Sequence, residues 1–112
     1  MDSRFVCLKE RPKGTPESSD FQIASVAVPD PGPGEVRVRN RWLSVDPYMR
    51  GRMFDRASYT PPFQLGEVLE GGAVGVVESS RDPAFSEGDW VLSNLGWREG
   101  FVAPASQLRG VD

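Results

Sequence analysis

Residues 45–53, with the sequence VDPYMRGRM, place a phenol and two guanidinium groups beside a proline. The phenol of Tyr48 can pack against a flat conjugated ligand and donate a hydrogen bond to it. The guanidinium groups of Arg50 and Arg52 can hold a phosphate or a carboxylate through charge-assisted hydrogen bonds. Each has a structural alternative, in which Tyr48 covers the end of the fold and the arginines are solvated or pair with nearby aspartates. Tyr48 is the stronger candidate for a binding role.

Two adjacent glycines form a second candidate site. Gly71 and Gly72 interrupt a stretch that otherwise has the pattern of a strand, and Gly75 follows closely. Glycine within a strand costs stability, so it usually marks a bulge, a bend or a close approach of another group to the backbone. Both a bound ligand and the corner of a barrel would explain the pair. Trp97, which follows Gly96, supplies an aromatic ring that can contact a ligand.

The composition excludes several kinds of chemistry. The chain has no histidine, so a Ser-His-Asp triad, a Cys-His pair and a histidine general base are excluded within it. A zinc site is almost excluded as well, because it would have to be built from one thiolate and carboxylates. The net charge of −3 gives no general attraction to nucleic acid or anionic lipid.

The cysteine content and the hydropathy pattern indicate a compartment. Cys7 is the single cysteine, which excludes an intrachain disulfide, and we expect an inert buried thiol in a protein of the reducing cytoplasm. No apolar run approaches the ~20 residues that a membrane-spanning helix needs. We also expect no signal peptide before the first strand.

The chain has the length of one domain, and its 12 glycines and 10 prolines interrupt it too often for long helices. Period-two alternation is clearest over residues 35–45, where Val36 and Val38 share one face and three arginines share the other. We predict an all-β, partly open barrel with one short helix over residues 47–54. The predicted strands cover residues 4–8, 21–28, 35–45, 65–78, 89–93 and 97–103.

The alternation also assigns side chains to faces of the sheet. Arg37, Arg39 and Arg41 form a basic stripe, which we assign to a solvated face because a nucleic-acid surface would need interleaved aromatic side chains. Trp42 alternates onto the opposite face, and we expect both Trp42 and Trp90 to lie in the core.

Four segments together carry a resemblance to a known family. They are PGPGEVRVR (31–39), LSVDPYMRGRM (43–53), LGEVLEGGAVGVVESS (65–80) and FSEGDWVLSNLGWREG (85–100). In this order and spacing the chain resembles the N-terminal GroES-like domain of zinc-independent medium-chain dehydrogenases/reductases, in the branch of the prostaglandin reductases and alkenal double-bond reductases. The resemblance implies an NADPH-dependent oxidoreductase that reduces the C=C bond of conjugated enals and enones.

The resemblance also assigns roles to residues. Substrate contacts are implied for Tyr48, Gly71, Gly72 and Trp97, and contacts to NADP for Pro47, Tyr48 and Met49. No catalytic residue is implied on this chain, because the enolate-stabilising tyrosine of the family belongs to another domain. No metal is implied either: Leu43 stands where related zinc enzymes have a cysteine ligand, and residues 70–72 stand where they have a Gly-His-Glu motif.

Residues 1–112 would then be the substrate domain of a longer parent enzyme. We expect the dinucleotide-binding domain to be absent from this chain, which has no G-x-G-x-x-G turn that opens a helix. The isolated chain is expected to be inactive and to dimerise or self-associate through unpaired strand edges. Its expected partner is a small conjugated carbonyl compound, with no nucleic acid and no membrane. The alternative is a stand-alone barrel that binds a ligand or a protein without catalysis.

Overall fold

The computed structural model describes residues 2–45, 49, 52–53 and 62–111. Within these ranges the chain forms two antiparallel sheets, and neither sheet closes on itself. One sheet has two strands in the order β1-β2, and the other has five in the order β6-β3-β4-β5-β7. The strands are β1 (Asp2–Leu8), β2 (Phe21–Ala27), β3 (Glu35–Leu43), β4 (Ala73–Ser80), β5 (Trp90–Ser93), β6 (Gly100–Pro104) and β7 (Arg109–Gly110), and 3-10 turns cover Ser18–Asp20 and Ala105–Gln107. The predicted all-β, partly open architecture is confirmed.

Two of the predicted strand starts differ from the observed starts by three residues or more. β4 begins at Ala73 rather than at residue 65, because residues 65–72 change partner along their length: Val68 bridges Cys7, while Gly71 bridges Leu95. β6 begins at Gly100 rather than at residue 97, because the backbone of residues 97–99 bonds to β1. The two-residue β7 was not predicted, since a pair of residues has no periodicity. Most of the helix predicted over residues 47–54 lies outside the described residues.

The first core lies on one face of the five-stranded sheet. Val36 and Val38, predicted to share a buried face of β3, are both 0% exposed. They pack with residues of the neighbouring strands, namely Val77, Val91, Phe101 and Ala103. Alternation in β3 therefore positions the central strand of the domain.

A second core lies beneath β1. Its buried members are Leu8, Met49, Met53, Phe63 and Leu69, and Val6, Phe21 and Trp97 pack against them. Cys7 is buried next to this core, as predicted, with its thiol 3.7 Å from the carbonyl oxygen of Gln22. The two cores mean that each sheet has apolar packing of its own.

Residues 94–99, called the joining segment below, connect the two sheets through their backbone. The N–H of Val6 donates to the carbonyl oxygen of Trp97 (2.8 Å), and the N–H of Glu99 donates to that of Arg4 (2.9 Å). On the other side, the N–H of Asn40 donates to the Glu99 carbonyl oxygen (2.8 Å). The Asn40 side-chain amide adds bonds to the carbonyl oxygens of Leu95 (2.8 Å) and Arg98 (3.0 Å). β1 and β3 are thereby held at a fixed separation.

The expectation that Trp42 and Trp90 lie in the core is wrong. Trp42 is 71% exposed and Trp90 is 43% exposed. In β3 the register shifts between Asn40, opposite Gly75, and Trp42, opposite Val74, so Arg41 is an extra residue that breaks the alternation. The bulge expected near Gly75 is thus present, but it lies on β3, the strand that pairs with β4 at Gly75.

The basic stripe on β3 carries ion pairs. Arg37 bonds to Asp30 (2.9 Å), and Arg39 bonds to Glu78 (3.1 Å). The Arg39 side chain is 47% exposed and that of Arg37 is 21% exposed, so the face is partly solvated and partly covered by these carboxylates. Exposed pairs of this kind contribute little stability.

Replacing Gly75 by alanine should destabilise the fold by about 1–3 kcal/mol, the usual cost of overpacking a filled core. The new Cβ would lie 2.5 Å from Val38 Cγ1 and 2.8 Å from the Arg39 carbonyl oxygen. Urea unfolding followed by circular dichroism measures the change. Gly14→Ala is the matched control, because a Cβ there meets no atom within 4 Å. Equal unfolding midpoints for the two variants would contradict the close approach at Gly75.

Candidate functional site

Three backbone segments converge at one end of β4. The N–H of Gly71 donates to the Asn94 carbonyl oxygen (3.2 Å), and the N–H of Gly96 donates to that of Gly71 (2.9 Å). The N–H of Ser44, just after β3, donates to the Gly72 carbonyl oxygen (2.8 Å). These bonds bring Gly71, Gly72 and Trp97 together, although they are far apart in the sequence.

Gly71 and Gly96 are in contact through their backbones. A Cβ on Gly96 would lie 2.8 Å from the Gly71 carbonyl oxygen. No real Cβ tolerates that distance, so the joining segment reaches Gly71 because residue 96 has no side chain. This explains a glycine before Trp97 without reference to a ligand.

The space beside Gly71 is occupied by protein. A Cβ on Gly71 would lie 3.2 Å from Nε1 of Trp97 and 3.7 Å from the Ser44 carbonyl oxygen. Gly72 is different, because the single described atom within 4 Å of its Cβ position is Ser44 Cβ, at 3.8 Å. Of the two glycines, Gly72 leaves the more room for a ligand.

Trp97 has two unfavourable features. Its φ is +58°, and no other non-glycine residue of the described ranges has a positive φ. Its buried Nε1 has no hydrogen-bond partner among the described residues. A left-handed backbone costs about 1–3 kcal/mol at a non-glycine residue, and an unsatisfied buried donor costs a similar amount. Strain of this size is retained where the surrounding structure fixes the residue, and here Gly71, Gly96 and the second core do so.

Trp97 also forms part of the wall of a cleft of about 520 Å³ between β1 and the end of β3. Its apolar walls come from both sheets and consist of Phe5, Val6, Ile23, Trp42, Leu43 and Trp97. Pockets that bind small molecules are concave and mostly apolar, with a few polar groups. This cleft has that character, with Asn40 and Arg98 among its polar residues.

Arg98 was missed by sequence reasoning. Its Nε donates to the Gly96 carbonyl oxygen (3.0 Å) and its Nη2 to that of Leu69 (3.1 Å), so the side chain connects the joining segment to the second core. Burial lowers the pKa of the Arg98 guanidinium, and the Glu70 carboxylate opposes that shift. No local pattern in the sequence distinguishes Arg98 from a surface arginine, because its partners are carbonyl groups of distant residues.

Arg52 and Glu70 flank the glycine pair. The Arg52 guanidinium lies 4.2 Å from the centroid of the Phe63 ring and 3.6 Å from a carboxylate oxygen of Glu70. The other carboxylate oxygen of Glu70 accepts a bond from the Asn94 side chain (3.2 Å). The Arg52 side chain is 11% exposed, so it is packed against protein rather than solvated. The structure therefore gives Arg52 a packing role, with cation–π and ionic components.

The cleft rim carries an ion pair between β1 and the joining segment. Arg4 Nη2 and Nε donate to the two carboxylate oxygens of Glu99 (2.9 and 3.1 Å), and the Arg4 N–H donates to one of them as well (2.8 Å). These hydrogen bonds from Arg4 lower the pKa of Glu99 to about 2. The same pairing raises the pKa of the Arg4 guanidinium.

The predicted site residues fall into three groups. Gly71, Gly72 and Trp97 lie together, as the shared-site prediction requires, although their contact with a substrate stays a prediction. Met49 is 3% exposed and its side chain packs in the second core, so its predicted contact with NADP also stays a prediction. Pro47 and Tyr48 lie outside the described residues.

The described ranges hold neither a metal-ligand cluster nor a membrane-spanning helix. Among these residues, no group of three or more histidine, cysteine, aspartate or glutamate side chains is arranged to hold a metal ion. In the same part of the chain, no helix is long and apolar enough to cross a membrane. The prediction that the protein binds no metal stays untested.

Comparison with known proteins identifies the family. Residues 4–111 match the family described as the N-terminal domain of oxidoreductase, and the chain belongs to that family. It is 43% identical to the NADPH-dependent curcumin reductase of Escherichia coli K12, over 90% of this chain and 29% of the relative. It is 38% identical to the NADP(+)-dependent 2-alkenal reductase of Nicotiana tabacum, over 96% of this chain and 33% of the relative.

A solved structure confirms the fold. The chain superimposes with a TM-score of 0.88 on CurA from Vibrio vulnificus in complex with NADPH, at 39% identity, over 96% of this chain and 31% of CurA. The GroES-like fold and the resemblance to the alkenal reductase branch are thereby confirmed. The chain spans about a third of the length of these relatives.

Gly71→Ala should displace the Trp97 indole, because the new methyl group would meet Nε1 at 3.2 Å. The Trp97 indole N–H resonance in a ¹H–¹⁵N NMR spectrum should shift, with a loss of stability of about 1–3 kcal/mol. Gly72→Ala is the matched control and should leave that resonance in place. If both variants shift the resonance equally, the indole does not occupy the space beside Gly71.

The Arg4–Glu99 pair should make the free energy of unfolding depend on pH. Because the pKa of Glu99 is lowered to about 2 in the folded chain from an ordinary 4.5, its contribution is present above pH 4.5 and is lost as the pH falls towards 2. Glu99→Gln should therefore be less stable than the parent chain at neutral pH and equally stable near pH 2, in urea unfolding across that range. The exposed Glu87→Gln serves as control and should show no such convergence. A Glu99→Gln difference independent of pH would contradict the ionic origin.

Proposed function

We propose that this chain is the substrate domain of an NADPH-dependent, zinc-independent oxidoreductase that reduces the C=C bond of conjugated enals and enones. The observation that carries the proposal is the likeness of nearly the whole chain to relatives named as a curcumin reductase and a 2-alkenal reductase. Each of these relatives is named for NADPH or NADP(+).

The described residues could form one wall of a pocket for the nicotinamide ring and the substrate. A single described atom lies near the Cβ position of Gly72, which leaves room for a flat ring to approach the backbone, and the half-buried Trp97 ring lies beside the neighbouring Gly71. Apolar walls of this kind exclude water and orient a planar ligand. NADPH, when bound, supplies the hydride that adds to the β-carbon of the conjugated carbonyl compound. Pro47, Tyr48 and Met49 remain the proposed contacts of this chain to the cofactor.

Phosphate recognition is assigned to another domain. The described residues contain no glycine-rich turn that opens a helix, which is the usual cradle for a dinucleotide pyrophosphate. We therefore propose that a dinucleotide-binding domain lies outside residues 1–112 and also holds the groups that stabilise and protonate the enolate.

The zinc-independent part of the proposal rests on side-chain chemistry. Leu43 lines the cleft, and Gly71 and Gly72 lie next to Ser44, just beyond the end of β3. Neither a leucine nor a glycine side chain has an atom that ligates zinc, which takes thiolate, imidazole or carboxylate ligands. The positions compared with the zinc ligands of related enzymes are therefore filled by non-ligating residues.

The location, the partner and the alternative function of the chain are proposals as well. A cytoplasmic location is supported by Cys7, which is free and buried. The proposed partner is a small conjugated carbonyl compound, with neither nucleic acid nor membrane as a target. A non-catalytic binding module is the alternative function, and the observation in its favour is that the apolar cleft lies wholly within this chain.

A domain exchange tests the proposal. This chain, joined to the remainder of the E. coli curcumin reductase in place of the matching segment, should oxidise NADPH in the presence of curcumin or a 2-alkenal. The isolated chain should oxidise none, and calorimetry should show weak NADPH binding. Within the chimaera, Gly72→Val should lower kcat/KM by about a hundredfold, the scale expected when reacting groups are displaced by about an ångström. Gly14→Ala should leave kcat/KM unchanged.

Two outcomes would contradict the proposal. A folded chimaera that binds NADPH but reduces no conjugated carbonyl compound would favour the binding-module function. Tight NADPH binding by the isolated chain would show that the nucleotide site is not on another domain.

A further inference from the structure

The cleft between β1 and the end of β3 has an excess of positive charge. Its charged lining residues are Arg4, Arg41, Arg98 and Glu99. Arg4 and Glu99 neutralise each other through their ion pair at 2.9 Å. Arg41 and Arg98 are left as cations on a chain whose net charge is −3. The cleft therefore attracts anions, although the chain as a whole does not.

Neither of these two cations is neutralised by a described residue. Arg41 is exposed, and neither Arg41 nor Arg98 forms an ion pair within the described ranges. The Arg98 guanidinium is held instead by the uncharged carbonyl oxygens of Gly96 (3.0 Å) and Leu69 (3.1 Å). These bonds come from Nε and Nη2, while Nη1 has no partner among the described residues. Burying a cation without a counter-charge is costly, so a bound anion would stabilise this arrangement.

The apolar lining of the cleft is also uncovered. Trp42 is 71% exposed, and Ile23 on β2 is 69% exposed. Both line the cleft, whose volume of about 520 Å³ is that of a small-molecule site. Unneutralised cations beside exposed apolar side chains match an amphiphile: its apolar chain covers these side chains while its anionic group meets the cations.

Arg98 also lines a second cavity, of about 300 Å³, together with Phe5. Among the described residues that line this cavity, the one other charged side chain is Glu35. A carboxylate there repels an anion, whereas Arg41 in the cleft attracts one. An anion that binds Arg98 is therefore favoured on the cleft side.

We propose that the cleft binds an amphiphilic carboxylate. Arg98 is the main anchor of the carboxylate, the exposed Arg41 is the second cation, and the apolar chain lies against Trp42 and Ile23. The guanidinium fork matches the two oxygens of a carboxylate, and charge-assisted hydrogen bonds of this kind are stronger than neutral ones.

In the proposed reductase, the cleft holds a part of the substrate that does not react. Binding energy from such a part helps to orient the reacting double bond. This placement rests on the proposed function. Binding of the carboxylate itself does not, because it requires neither NADPH nor turnover.

Titration of the ¹⁵N-labelled 112-residue chain with octanoate, followed by ¹H–¹⁵N NMR, tests the proposal. 1-Octanol is the uncharged match with a chain of the same length. The indole N–H resonances of Trp42 and Trp97, which line the cleft, should shift, and that of Trp90, which lies outside it, should not. Octanoate should bind about tenfold more tightly than 1-octanol, which corresponds to ~1.4 kcal/mol.

Three variants assign the preference to the cations. Arg41→Gln should weaken octanoate binding roughly threefold, the scale of an exposed ion pair, and leave 1-octanol binding unchanged. Arg98→Gln keeps a donor for the carbonyl oxygens but removes the charge, so it should abolish the preference for octanoate. Arg81→Gln is the matched control, because Arg81 is an exposed arginine outside the cleft. Circular dichroism checks the fold of each variant, and Arg41→Gln decides the matter where Arg98→Gln does not fold.

Three results would overturn the proposal. The first is equal affinity for octanoate and 1-octanol, which would indicate an apolar site without anion recognition. The second is equal weakening by Arg41→Gln and Arg81→Gln, which would indicate general attraction between charges. The third is a set of indole resonances that do not move, or that move equally at Trp90. Octanoate binding by a chain whose chimaera reduces no conjugated carbonyl compound would support the anion site and contradict the proposed function.

Discussion

The backbone of the joining segment, residues 94–99, determines how the two sheets sit against each other. Its peptide groups bond to β1 on one side and to Asn40 of β3 on the other, and its first residues bond to Gly71. These contacts are between residues far apart in the sequence, so they form only when both sheets are in place. The cleft is the space that remains between the two sheets once this segment has fixed their separation.

Glycines at three positions make this arrangement possible, because a side chain at each of them would meet a different neighbour. Gly75 faces Val38 in the first core, Gly96 faces the backbone of Gly71, and Gly71 faces the Trp97 indole. In all three cases the missing side chain accommodates other parts of the protein. Among the described residues, only Ser44 has an atom within 4 Å of the Cβ position of Gly72, so Gly72 is the better candidate of the two for the proposed ligand contact. The sequence alone does not show which glycine of the pair is needed for packing and which could contact a ligand. The structure assigns the packing role to Gly71 and leaves Gly72 as the candidate for ligand contact.

Local patterns predict the parts of this structure that depend on local physics. Alternation in β3 predicts the burial of Val36 and Val38, and glycine frequency predicts close approaches near residues 71–75. The pattern fails where a distant partner decides the outcome. Trp42 follows a bulge at Arg41 that no local rule places, so it is exposed rather than buried. Residues 65–72 look like a strand, yet they bond in turn to β1 and to the joining segment.

The strained geometry of Trp97 has a consequence for the candidate site. The side chain packs against the second core with its Nε1 facing Gly71, and the residue also lines the cleft. A change in any of these neighbours moves the same ring, so the shape of the cleft depends on core packing as well as on cleft residues. The residue before Trp97, Gly96, is also the one whose missing side chain allows the close approach to Gly71. The shape of the cleft is therefore set as much by the glycines behind the tryptophan as by the residues that line the cleft.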